Sequence, residues 1–222
     1  MSTITYQSVY GDIAANVPGV PDVVLGFYIN KVVIDLCERA KVWRVNYASI
    51  PLIAGTYNYT VTSPVAQTEL SSILLAKVYL GSTARHKDLD VVTAEQVFQV
   101  YPQWPQTTET KEPTAITRLD EASIAIVPVP DGVQAYTLQM YCAIRPTTVA
   151  TGMESTIYAT YRRTIYHGVL HELMMMPKRP WTDEARAKYH GAQWEFMVNS
   201  ARARANKSFS RANTTVVQAP WA

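Results

Sequence analysis

Residues 124–146 read IAIVPVPDGVQAYTLQMYCAIRP and predict two β-strands joined by a tight turn. The runs Ser123–Val127 and Tyr136–Ile144 have the length and the apolar content of strands. Between them, Asp131 and Gly132 supply the positive φ angles that a tight turn needs. The stretch therefore indicates a strand-turn-strand unit in a β-rich region.

Further β-rich runs precede this unit, separated by turn residues. They are Val45–Ile50, Tyr57–Thr62 and Ile73–Leu80. Thr93–Tyr101 predicts one short helix, which ends at Pro102. We therefore expect residues 45–150 to form an inserted, antiparallel β-rich domain.

Long helices are predicted on both sides of the β-rich region. Pro21-Asp22 opens the first helix, in which apolar residues recur every three or four positions as far as Trp43. The second helix has an apolar stripe with four-residue spacing, formed by Ile157, Tyr161, Ile165, Val169 and Leu173. The third begins at Thr182, and its expected inner face consists of Tyr189, Ala192, Phe196 and Ser200.

The predicted fold class is α+β. Because each helix alone would expose an apolar stripe, we expect an antiparallel helical bundle made of the N-terminal helix and a C-terminal helical hairpin. An antiparallel β-rich domain is inserted into this bundle, and an extended C-terminal tail follows it. The expected divisions are an N-terminal arm at 1–20, the helical bundle at 21–44 and 151–205, the β-rich domain at 45–150 and the tail at 206–222.

The composition favours a protein that buries surface against other proteins. Charged residues make up 17% of the 222 residues, against about 25% in an average soluble domain, and 14 residues are Tyr. A net charge of +2 argues against general nucleic-acid binding, although Lys178–Arg211 holds eight basic and three acidic residues. No apolar run approaches the ~18 residues of a membrane span, so we expect no membrane contact.

One pattern suggests a metal site. His167-Gly168-Val169-Leu170-His171 places two histidines at the i, i+4 spacing of zinc hydrolases, and His190 could complete such a site. However, Gly168 stands where that motif has its glutamate. There is no phosphate-binding loop or serine nucleophile elbow, and we expect Cys37 and Cys142 to be buried, reduced thiols. We therefore predict a protein that is not an enzyme, with no catalytic residue, cofactor or metal.

The C-terminal segment mixes cationic and apolar side chains. Its candidate binding residues are Arg202, Arg204, Lys207, Phe209, Arg211, Val216, Val217 and Trp221. Arg and Trp are typical anchors of protein interfaces, whereas Arg with aromatic residues can also bind nucleic acid, and a solvated terminus is the third interpretation. The uncharged end, Val216–Trp221, favours docking into a protein partner.

Four segments, taken in order, resemble a known family. They are PDVVLGFYINKVVIDLCERAKVW at 21–43, Tyr101-Pro102-Gln103-Trp104, the strand-turn-strand unit at 124–146, and YRRTIYHGVLHELMMMPKRPWTDEARAKYHGAQWEFMVNSARARA at 161–205. Their order and spacing resemble the head–tail adaptor (connector, or collar) proteins of tailed bacteriophages, particularly short-tailed ones.

This resemblance implies a structural virion protein in the neck between head and tail, made in the host cytoplasm. Such proteins form a homo-oligomeric ring, commonly of twelve copies, beneath the portal ring. The implied partners are the portal protein and a tail nozzle or tail-tube protein, and DNA passes through the ring without sequence-specific binding. The C-terminal residues named above would then bind the portal. The alternative is a nucleic-acid-binding module that uses the basic C-terminal helix and tail.

Overall fold

The computed structural model describes residues 2–81, 85–102, 104 and 110–207. About 40% of these residues are helical and 29% lie in strands. The chain divides into two compact units. The first unit takes the residues up to Val42 together with those from Gly152 onward, and the second takes Trp43–Thr151.

The elements are numbered along the chain. They are β1 (Thr3–Thr5), a 3-10 turn (Tyr6–Val9), α1 (Tyr10–Ala14), α2 (Asp22–Ala40), β2 (Arg44–Asn46), β3 (Ile50–Leu52), β4 (Asn58–Thr60), β5 (Thr68–Leu80), β6 (His86–Val91), α3 (Ala94–Val100), β7 (Thr110–Lys111), β8 (Ala115–Arg118), β9 (Ser123–Val127), β10 (Val129–Pro130), β11 (Tyr136–Pro146), β12 (Gly152–Glu154), α4 (Ser155–Met174) and α5 (Glu184–Asn206).

The second unit is built on an eight-stranded mixed sheet. Its strand order is β2-β11-β5-β6-β8-β9-β4, and β3 also pairs with β11. The longest strands, β5 and β11, run antiparallel along their whole length. In contrast, β6 and β8 are parallel, with α3 in the connection between them. Parallel neighbouring strands need such a crossover, because a tight turn reverses the direction of the chain and would leave the two strands antiparallel.

The predicted fold class is wrong. The structure is a curled mixed sheet of eight strands with five helices in the described residues, not an antiparallel helical bundle with an inserted antiparallel β domain. The error has a local cause in β6, His86–Val91, where charged and apolar residues alternate and no apolar run reveals the strand. The predicted short helix is confirmed as α3, but its position between two parallel strands was not recognised.

In the first unit, α2, α4 and α5 pack closely on one another. The predicted stripe of α4 is confirmed, since all five of its residues are buried. The contact depends on Gly168, where an added Cβ would lie 2.7 Å from both Trp194 Cε3 and Val32 Cγ1. A glycine at this point lets α4 approach its two neighbours more closely than any other residue would.

The predicted inner face of α5 is wrong. Tyr189 and Phe196 are 59% and 71% exposed, whereas Ala187, Trp194 and Ala201 are buried. The close approach of the helices explains the exchange, because Gly168 leaves room for the Trp194 ring and small alanines fit elsewhere along the contact. Two large apolar side chains are therefore left on the outer surface of the unit.

Candidate assembly interface

The histidines of the suspected metal motif have separate partners. His167 Nδ1 lies 2.8 Å from His190 Nδ1, inside the first unit. His171 Nδ1 instead lies 2.9 Å from the backbone carbonyl oxygen of Ala187. Glu172 accepts a hydrogen bond of 2.7 Å from Lys31. These side chains therefore serve contacts of α4 with α5 and α2.

No group of three or more His, Cys, Asp or Glu residues is placed to hold a metal ion in the part of the chain that the structure describes. Burial lowers the pKa of His167, and the nearby charge of Arg163 lowers it further. Burial likewise lowers the pKa of His190, and protonation of both rings would bring two positive charges together. Both imidazoles are thus held in the neutral form, which allows one Nδ1 to donate to the other.

Both cysteines are free and fully buried, as the sequence predicts. Burial raises the pKa of the Cys37 thiol to about 12 and that of the Cys142 thiol to about 12. A thiol that stays protonated at neutral pH is a poor nucleophile. Neither cysteine is therefore suited to covalent catalysis.

The basic candidates of the C-terminal segment fall into two sets. Arg202 and Arg204 are exposed on the last turns of α5, and Lys207 follows directly at the end of that helix. The remaining candidates lie outside the described residues: Phe209, Arg211, Val216, Val217 and Trp221. The described part thus presents a cationic helix end, where positive charge also complements the helix dipole.

An exposed apolar pair lies on α2 in the first unit. Val23 is 83% exposed and Phe27 is 63% exposed. Their i, i+4 spacing places them side by side on one face of the helix. Leu25 and Ile29, in contrast, are buried. We call Val23 and Phe27 the α2 apolar pair.

A groove runs between α4 and α5 in the same unit. Its cavity volume is about 140 Å³. The lining includes Thr160, Thr164, Phe196, Met197, Ser200 and Arg204. We call it the α4–α5 groove. Nothing in the sequence pattern indicated this groove, because Phe196 and Ser200 were expected to face inward.

The second unit has an open sheet surface of its own. A shallow cavity of about 530 Å³ is lined by side chains of β5 and β11, among them Leu75, Lys77, Tyr79, Gln139 and Tyr141. Leu75 is 59% exposed. Alternating aromatic, aliphatic and polar side chains of this kind are common in the contact surfaces of proteins. The period-two pattern of the two strands was the available signal for this face.

Exposed apolar side chains on both units, with partly exposed tyrosines beside them, are typical of proteins that bind other proteins. The sequence gives the same answer at family level. The chain belongs to the SU10 adaptor protein family, whose model matches residues 4–219. A search of curated proteins finds no match.

This membership confirms the resemblance to phage head–tail adaptors. The protein is accordingly a bacteriophage adaptor, a structural component of the virion that interacts with other head and tail proteins. Within the described ranges, no helix is long and apolar enough to cross a membrane.

Proposed function

We propose that the chain forms a closed ring between the capsid portal and the tail, and that the ring lines part of the DNA passage. The observation that carries this proposal is the match of the phage adaptor family to residues 4–219. The exposed apolar side chains on different faces of the first unit support it, since a ring subunit buries two flanks at once. Twelve copies are proposed from the resemblance.

The portal contact is assigned to the C-terminal segment. Arg202, Arg204 and Lys207 supply positive charge where the segment leaves α5. Positive charge speeds the encounter with an acidic partner, and Trp is enriched among interface anchors, which suits Trp221. When extended, residues 206–222 would reach about 55–60 Å, enough to cross the face of a neighbouring subunit. Weak single contacts would become durable when many copies bind one ring together.

Deletion of residues 208–222 tests the portal contact. We expect the shortened chain to fold, because its described elements end at Asn206, but to be lost from portal-bearing capsids during sedimentation. The charge contribution is tested by Arg202→Gln with Lys207→Gln, which leaves Arg204 of the groove between α4 and α5 in place, and the matched control is Lys178→Gln with Arg179→Gln. Equal retention of the deleted and full-length chains, with equal retention of packaged DNA, would show that the segment is not the anchor.

The nucleic-acid-binding alternative rests on the local excess of charge in residues 178–211. A protein held on DNA by phosphate contacts loses affinity steeply with salt, with a slope near the number of contacts. The adaptor proposal expects weak binding of duplex DNA at physiological salt. Submicromolar binding with a steep salt slope, abolished by Arg202→Gln with Arg204→Gln, would favour the alternative.

A further inference from the structure

We infer that the α2 apolar pair of one copy docks into the α4–α5 groove of a second copy, and that this head-to-tail contact is the repeating interface of the ring. The inference rests on the proposed ring, and it names the two surfaces that would build it. The first surface is Val23 with Phe27 on α2, and the second is the groove between α4 and α5.

The two surfaces point in opposite directions within the first unit. Val32 approaches both Gly168 and Trp194, so this side of α2 faces α4 and α5. Phe27 lies five residues before Val32, about 140° around the helix, and points away from α4 and α5. One copy can therefore present its α2 apolar pair without covering its own groove.

The groove opens on the far side of α5 from α2. Glu195 is bonded to Arg39 of α2 at 2.9 Å, which fixes the side of α5 that faces α2. Arg204 lies nine residues after Glu195, about 180° around the helix, and it lines the groove. Two different surfaces on opposite sides make a contact that is not self-complementary. Such a contact closes into a ring when the rotation that relates one copy to the next divides 360° a whole number of times.

Size and charge support a second copy as the occupant. The open groove holds about 140 Å³, which is large enough for one Phe ring, and Phe196 and Met197 supply apolar surface in its lining. Phe196 is 71% exposed at the groove and would gain an apolar partner. Asp22 stands beside Val23 in the first turn of α2, and Arg204 lines the groove, so one acidic side chain at the rim of the pair can meet one basic side chain at the rim of the groove. Opposite rim charges orient one copy on the next.

Cysteine crosslinking in assembled particles tests the contact. The variant carries Val23→Cys with Ser200→Cys and is the only source of the chain in the phage preparation. A short thiol-reactive crosslinker should join it into dimers, trimers and higher multimers, because each copy has one cysteine on each side. The native Cys37 and Cys142 are fully buried and serve as an unreactive background. The matched control is Val23→Cys with Tyr189→Cys, since Tyr189 is exposed on α5 about 16 Å from Ser200 along the helix.

Phe27→Ser provides a second measurement that does not depend on crosslinking geometry. We expect its incorporation into particles to fall at least about tenfold, because interface anchors lose that much or more when truncated. Tyr189→Ser, which removes an equally exposed aromatic ring outside the contact, should incorporate normally.

The outcomes separate this inference from the proposed function. The contact is supported if only the variant with Val23→Cys and Ser200→Cys forms crosslinked multimers and if the Phe27→Ser variant is depleted from particles. Dimers from Val23→Cys alone would show a two-fold contact and overturn it. A ring visible by electron microscopy with neither effect would overturn the contact and leave the ring standing, whereas particles with no ring would overturn both.

Discussion

Gly168→Ala is the sharpest test of how the helices of the first unit are held together. In an ordinary helix this change stabilises, because alanine loses less backbone entropy than glycine on folding, by roughly 0.5–1 kcal/mol. At position 168 the new Cβ would meet Val32 Cγ1 at 2.7 Å and two Trp194 ring carbons at 2.7 and 2.9 Å. Real Cβ contacts are not this short, so side chains or helices must move.

The entropic gain from alanine and the cost of the steric clash oppose each other. Their relative magnitudes decide whether Gly168→Ala stabilises or destabilises the protein. Overpacking by one methyl group costs about 1–3 kcal/mol. Trp194 is 6% exposed and Val32 is 3% exposed, so neither can swing out into solvent, and we place the cost near the upper end. The expected net result is destabilisation by about 1–2 kcal/mol. For a chain of this length, that lowers Tm by about 2–8 °C.

Thermal unfolding followed by circular dichroism measures this shift. The matched control is Gly11→Ala in α1, where the added Cβ meets nothing within 4 Å, so Tm should stay or rise. Combining Gly168→Ala with Val32→Ala should cost about 1 kcal/mol less than the sum of the two single changes, because the second makes room for the first. If Gly168→Ala raises Tm as Gly11→Ala does, the close approach of the helices is not what Gly168 provides.

Two further predictions concern the same unit. The pKa values of His167 and His190 are both lowered, so the unfolded chain binds protons that the folded chain does not. The free energy of unfolding should therefore fall as pH drops through the ordinary histidine pKa of about 6.5. Denaturant titrations at pH 7 and at pH 5 should show this fall. His190→Gln should reduce this pH dependence of the free energy of unfolding. An unchanged dependence would show that other groups bind the protons. Asp183 caps α5 by accepting from the Arg186 amide at 3.0 Å, so Asp183→Ala should cost about 1 kcal/mol in the same titrations, while Asp183→Asn should cost much less.

The sequence predicted helices and strands well where their own residues carry a strong pattern. The four-residue stripe of α4 is buried as expected, and the predicted helix at 21–43 is observed as Asp22–Ala40. The strands Ser123–Val127 and Tyr136–Pro146 follow the pattern from which the fold was first inferred. Local periodicity suffices for such elements because each buries one face whatever its partner is.

Sheet topology was not accessible in this way. Strand β6 pairs with β5 on one side and with β8 on the other. The six residues of β6 carry no pattern that predicts either pairing. Its parallel pairing with β8 exists because the chain between them forms α3 and returns in the same direction. An antiparallel arrangement was therefore expected where the structure is mixed.

The candidate surfaces likewise depended on tertiary packing, which the sequence pattern did not predict. Val23 and Phe27 belong to an apolar helix in the sequence, and their exposure follows only from which face of α2 packs on α4 and α5. Tyr189 and Phe196 were expected inside because they are large and apolar, but the space beside Gly168 admits Trp194 and small alanines instead. The sequence by itself determined the family, the long helices and the strand-turn-strand unit, because these depend on local order and spacing. The tertiary structure decided the mixed sheet and the exposed apolar faces, because strand pairing and burial depend on partners that are distant along the chain.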